Sequence, residues 1–435
     1  MASYRMSATD FLNSGVKVED YVRALLDHIA SRDADVQAWA YLDSQYVLYQ
    51  ARQLDAIPVQ QRGPLHGVPV GVKDIFYTKD MPTQHNSPAY KNDAPAVDAA
   101  LVMLLRSAGA LIFGKTTTTE FASVTIGSKT RNPHDLARTP GGSSSGSGAA
   151  VGDLQVPVAL GTQTIGSIIR PASFNGIFAL KPTWGAISRE GVKVCSLNFD
   201  TMGFFARSVA DLELLADAAR LVDDEAPPAA FKLVGARFAV CKTHVWPEVG
   251  PGTVNALVRG VELLRAAGAS VEELDLPAQF ASVTDSQQKV FQCDGQVTFL
   301  SEYVRAGSKH TLDPILVDFV EKPAGKTHRA HLAALDNLAR LRPEMDEIAG
   351  RYDAILTPSV VDEAPEGLSS TGSPAFCGMW TALHVPVVNV PGFVGEHGMP
   401  IGLSLVAPRY HDRHLLRVSA AVAPVFERGG WKSTL

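Results

Sequence analysis

Apolar positions along the chain recur at two spacings. Over residues 7–31, Tyr21, Leu25, Leu26 and Ile29 repeat at helical spacing, and Ser7 with Asp10 fits a capping pair. A second helix is expected from about Val36 to Leu54. The segment LHGVPVGVKDIF (65–76) instead alternates as a strand does. Val68, Val70 and Val72 share one face, and Gly71, Lys73 and Ile75 share the other. A periodic helix over 96–108 ends at Gly109, and ALIFGK (110–115) is a short apolar run of strand type. The polar passage that follows, TTTTEFASVTIGSKTRNPHDLARTPGGSSSGSG, is too long for a connection without a role. A small-residue helix (about 147–154) and a strand (VPVALG) come next. Beyond about residue 208, helical and strand patterns alternate through SVADLELLADAARLV, ARFAVC, TVNALVRGVELLRAAG, YDAILTPS, VPVVNVPGF and PIGLSLVAP. Alternation of this kind argues an α/β fold with one large mixed sheet. The stretch of about 275–345 is less regular. It reads as a cover over a pocket or as a peripheral helical layer.

Composition narrows the function classes. A chain of 435 residues that is 46% hydrophobic and 19% charged can build a large core and is not disordered. The net charge is −6, and no basic block or aromatic-basic stripe is present, so a nucleic-acid surface is not expected. No run of 18 apolar residues and no apolar leader segment appears, so no membrane association is expected. Cys195, Cys241, Cys293 and Cys377 lie far apart, which fits buried thiols in a reducing compartment, most simply the cytoplasm. The pairs His328/His331 and His411/His414 lack a third ligand nearby, so no metal site is expected.

Two short motifs point away from the chemistry. Gly109–Thr116 matches the phosphate-loop pattern, but Ala110, Leu111, Ile112 and Phe113 between its glycines call for burial as a strand. Gly142-x-Ser144-x-Gly146 matches a nucleophile elbow. That motif needs an apolar strand just before it, and RNPHDLARTPG is not one.

Cleaving an amide takes an activated nucleophile, a proton shuttle and donors for the oxyanion. Where no histidine is suitably placed, a lysine can be the base if burial lowers its pKa. Lys73, alone inside an apolar strand, meets that requirement; an edge-strand lysine is the bland alternative.

Longer motifs carry a resemblance. GGSSSGSGAAVGDLQVPVALGTQTIGSIIRPAS (141–173) and GVPVGVKD (67–74) resemble the signature and the lysine strand of the amidase signature family. LIFGKTTTTEFA, ALKPTWGAISREGV, YDAILTPS and PIGLSLVAPRYHDRHLL extend the likeness nearly end to end. The resemblance implies one α/β/α domain over 1–435 around a large mixed sheet, with a catalytic core of about 60–220. It places the catalytic lysine on Lys73, a bridging serine on Ser143 after a cis peptide bond at Gly142, and the nucleophile on Ser167. The backbone N–H groups of Thr164, Ile165, Gly166 and Ser167 would form the oxyanion hole, with Gly142, Ser144, Gln163 and Arg170 supporting the site. Where the family usually has an acid this chain has Gln163, and its arginine stands one place later, at Arg170. The two changes are expected to compensate electrostatically. Ile165 replaces a small residue and is expected to narrow the acyl pocket.

The implied activity is hydrolysis of an amide, carbamate or urea-like C–N bond without a cofactor or metal. The substrate would be a small molecule, and a homodimer is one assembly that the resemblance allows. An amidotransferase subunit that passes ammonia to a partner is the alternative, and a catalytically silent binding protein a remote one.

Overall fold

A computed structural model describes residues 3–306, 311–322, 327–433 and 435. Eleven strands form one sheet: β1 Trp39–Tyr41, β2 Pro69–Lys73, β3 Leu111–Thr116, β4 Val158–Gln163, β5 Phe178–Lys181, β6 Thr201–Ala206, β7 Arg237–Val240, β8 Ser270–Glu273, β9 Ala354–Pro358, β10 Val387–Val394 and β11 Pro400–Val406. Their spatial order is β1-β3-β2-β4-β6-β5-β10-β11-β9-β7-β8. β2 runs parallel to both β3 and β4, and β7 runs parallel to β8 and β9. The remaining pairs are antiparallel, so the sheet is mixed, as the alternating pattern predicts.

All residues of β2, β3, β4, β9 and β11 are buried, because helices cover the sheet. Each fully buried Leu, Ile, Val or Phe stabilises the fold by about 1.5–3 kcal/mol, which is why these strands read as continuous apolar runs. The run Ala110–Phe113 accordingly lies within and beside β3, not in a phosphate loop.

The helical expectation over the first fifty residues needs correction at two points. The helix over 7–31 is two helices, Ala8–Ser14 and Val18–Val36, parted by Gly15 in the left-handed conformation at φ 72°. The helix over Val36–Leu54 is instead β1 followed by a helix at Ser44–Asp55. Gln37 turns left-handed and ends the earlier helix, and the Asp43 carboxylate accepts from the N–H groups of Gln45 and Tyr46 to start the later one. The stretch 275–345 is helical, with Val283–Thr298, Leu300–Arg305, Pro314–Glu321 and His328–Ala349. Residues 307–310 and 323–326 of it lie outside the described residues. No helix among the described residues is long and apolar enough to cross a membrane.

Candidate active site

β2 places Lys73 at its C-terminal end, at the centre of one half of the sheet. Its Nζ donates to Ser143 Oγ and to Thr162 Oγ1, each at 2.8 Å, and the side chain is fully buried. The neighbouring carboxylate, Asp74, is taken up by Lys115 at 3.1 Å. Lys73 thus has hydroxyls and no carboxylate as its bonding partners. Burial pulls its pKa down to about 7, with the charge of Asp200 acting in the opposite direction.

The polar passage 116–144 delivers Ser143 to this lysine. The Gly142–Ser143 peptide bond is cis. Gly141 has φ 82°, and a β-carbon there would come within 2.9 Å of Pro171 Cα, so only glycine fits. A β-carbon at Gly146 would lie 2.2 Å from the Ala38 carbonyl oxygen, which lets the helix Ser145–Gly152 start hard against the chain. Ser144 is buried, and its Oγ donates to the Thr162 carbonyl oxygen at 3.3 Å, whereas the Lys73 Nζ bonds are to Ser143 and Thr162. No strand precedes it in the stretch 117–144, so it does not stand on a nucleophile elbow.

Ser167 ends the turn that follows β4 and precedes the helix Ile169–Phe174. It is 8% exposed and Ser143 is 3% exposed. Arg170, on that helix, donates to the Gly142 carbonyl oxygen at 2.6 Å, to Thr371 Oγ1 at 3.0 Å and to the Gly372 carbonyl oxygen at 2.6 Å. Its guanidinium therefore ties the Ser143 loop to the helix that begins just past Ser167. Burial draws Arg170 down to about 10.

The turn Thr164–Ser167 is held from three sides. Gln163 Oε1 accepts from the N–H groups of Ile168 and Ile169 at 2.8 and 3.0 Å, and Gln163 Nε2 donates to Thr381 Oγ1 at 2.9 Å. Thr381 in turn donates to the Ile165 carbonyl oxygen at 2.8 Å. Thr164 Oγ1 donates to Asp200 Oδ1 at 2.6 Å, and the other Asp200 oxygen takes the Cys195 N–H at 2.6 Å. Arg170 makes no bond to Gln163 among these contacts. Gly166 packs against Pro374 and Cys377, where a β-carbon would meet atoms at 3.0 and 3.2 Å.

A cavity of about 430 Å³ lies beside this turn, with Ile165 on its wall together with Gln287, Phe291, Ile315, Phe319 and Gly378. Among the described residues no lysine or arginine lines it, and Glu248 is the charged residue there. Sequence reasoning missed Thr162, Asp200, Thr371 and Thr381. None of the four carries a signal in the sequence: Thr162 meets Lys73 because β4 pairs in parallel with β2, and the other three come from farther along the chain. Among the described residues no group of three or more His, Cys, Asp or Glu is placed to hold a metal ion.

A family model described as Amidase matches residues 20–416. The chain belongs to the amidase signature family. It is an enzyme of the kind that acts on C–N bonds other than peptide bonds. Two relatives are the glutamyl-tRNA(Gln) amidotransferase subunits A of Acidothermus cellulolyticus, 40% identical over 95% of this chain and 92% of that protein, and of Symbiobacterium thermophilum, 31% identical over 95% of each. A crystal structure of an amidase aligns with a TM-score of 0.86 at 28% identity, over 96% of this chain and 99% of that one. The family match spans the strand of Lys73 and the turn of Ser167.

Proposed function

We propose that the chain cleaves an amide-type C–N bond through Ser167, with Ser143 as bridge and Lys73 as base. The observation that carries the reading is a fully buried lysine, drawn to about 7, whose Nζ bonds Ser143 Oγ at 2.8 Å. A base works best with a pKa near the working pH. Neutral Lys73 takes a proton from Ser143, which takes one from Ser167 as Ser167 Oγ attacks the carbonyl carbon. The developing oxyanion is met by N–H groups of the turn Thr164–Ser167, which Gln163, Thr381 and Asp200 hold in place. The relay returns the proton to the leaving nitrogen, the C–N bond breaks, and a Ser167 ester remains. Water then attacks that ester by the same path in reverse.

The relatives favour one setting for this step over free-standing hydrolysis. They are amidotransferase subunits A, matched over nearly the full length of both chains. On that reading the chain releases ammonia that a partner protein consumes. A free-standing amidase is the second reading, and the cavity favours it, since its volume is of ligand-pocket size. Purified chain offered primary carboxamides with no other protein present separates the two. The assembly reading expects ammonia release to be slow alone and to rise at least tenfold with its partner. Turnover at about 10 per second without a partner, the ordinary rate of a complete enzyme, would sink it.

Gln163→Glu tests how the turn is held. The carboxylate keeps the two acceptor bonds to Ile168 and Ile169 but loses the donor to Thr381. Thr381 then turns its hydroxyl to the carboxylate and releases the Ile165 carbonyl, and a buried negative charge sits beneath the developing oxyanion. The expected result is a kcat about tenfold lower with KM little changed, because that charge develops only in the transition state. A steady-state kcat within twofold of the parent would show that Gln163 only packs.

A further inference from the structure

The helix Val283–Thr298 lays Gln287 against the cavity beside the turn of Ser167. Gln287 is 4% exposed, and its Nε2 has no hydrogen-bond partner among the described residues. A buried amide hydrogen left without an acceptor is costly, and buried polar groups are nearly always paired. The amide is admitted by Gly378: a β-carbon there would lie 2.7 Å from Gln287 Oε1 and 3.4 Å from Ile165 Cγ2. The Gln287 amide therefore lies close to Ile165, two residues before Ser167. Phe291, Ile315, Phe319 and Pro374 make part of the wall apolar, Gln288 and Gln292 add polar groups and Glu248 a negative one, and among the described residues no cationic side chain lines the cavity to meet a carboxylate.

We propose that Gln287 determines specificity by donating its Nε2–H to an acceptor oxygen on an uncharged, largely apolar acyl group seated in this cavity. The assignment rests on Ser167 as nucleophile, which puts the acyl side of the amide next to Ile165. A substrate oxygen completes the bond that Gln287 lacks, and an acyl group without one leaves the donor buried and unpaired. The discrimination follows from that penalty, as it does wherever a site is built to bond a substrate's polar group.

The test uses the full-length protein and matched amides: benzamide, 3-phenylpropanamide and 4-phenylbutanamide, each bare and with a para-acetyl group, together with L-glutamine. At least one acetyl compound should exceed its bare parent tenfold or more in kcat/KM, chiefly through KM, and should exceed L-glutamine. In Gln287→Leu that ratio should fall to about one. If no acetyl compound exceeds its parent by threefold, if L-glutamine is the best amide, or if Gln287→Leu keeps the ratio, the inference is overturned. The wild-type comparison decides by itself should the variant not fold. Mass-spectrometric mapping of a fluorophosphonate adduct is run alongside: an adduct away from Ser167 overturns the underlying reading of the nucleophile, whatever the ratios.

Discussion

Ser167→Ala gives a folded protein in which amide turnover is lost by at least about 10⁴-fold, the scale set by removing a serine nucleophile. Two features make the expectation sharp. No hydrogen bond to the Ser167 hydroxyl forms among the described residues, so alanine removes nothing that holds the turn. The bonds that do hold it come from Gln163, Thr164 and Thr381. The thermal midpoint should therefore move by less than about 2 °C, as for substitutions that break no structural feature. The loss falls on kcat, since the ester to the enzyme cannot form. A fluorophosphonate should attach to Ser167 in the parent and to nothing in the variant. An adduct on Ser144 would instead make that serine the nucleophile, against its bonding to Thr162 and its full burial.

Lys73→Arg abolishes most of the activity, by about 10²–10⁴-fold, the contribution of a general base. A guanidinium keeps its proton at any working pH and cannot take the one from Ser143. In the parent, activity should rise with pH through about 7 as Lys73 becomes neutral. Stability should follow the same group in a defined direction. The folded lysine titrates near 7 and an unfolded one near 10.5, so unfolding takes up a proton between those values. Stability then climbs with pH across that window, and the full penalty is present below it. Lys73→Met removes the penalty and should be more stable than the parent near neutrality by a few kcal/mol, while inactive, since each tenfold loss of proton affinity on folding costs about 1.4 kcal/mol. Lys181, also drawn to about 7 by burial, adds its own slope, so the readout is the difference between parent and variant in denaturant titrations at several pH values. An arginine variant with more than a tenth of the parent activity would remove Lys73 from the role of base.

The parts of the fold legible in the sequence are those in which one physical effect dominates. β2, β3, β4 and β11 are apolar runs because the sheet is covered on both faces. β1 was not legible: three residues between two helical patterns continue the period, and only left-handed Gln37 breaks it. β8 was equally hidden, since Val271 is its sole buried residue at the edge of the sheet. In the site, Lys73 stood out as a charge inside an apolar strand, and the long polar passage announced a role through its length. The threonines that complete the site did not. Thr162, Thr371 and Thr381 are ordinary in sequence, and only folding brings two of them from more than two hundred residues away to Arg170 and Gln163.

The strand order divides the sheet by chain position. β1 to β6 occupy one side and β7 to β11 the other, and within the sheet the two sets meet only where β5 pairs with β10 over three residues. Lys73, Ser143 and Ser167 all belong to the first set. The cavity wall, Ile165 apart, comes from the second: Gln287, Phe291, Ile315, Phe319 and Gly378. On the proposed reading, the reacting groups and the cavity wall are thus encoded by separate stretches of the gene, tied together by Thr371 and Thr381, which reach back to Arg170 and Gln163. A crossover between relatives near residues 222–236, where the chain passes from one set to the other, would exchange the cavity wall and keep Lys73, Ser143 and Ser167. Lineages that keep those two threonines could then change what they cleave by recombination at one seam.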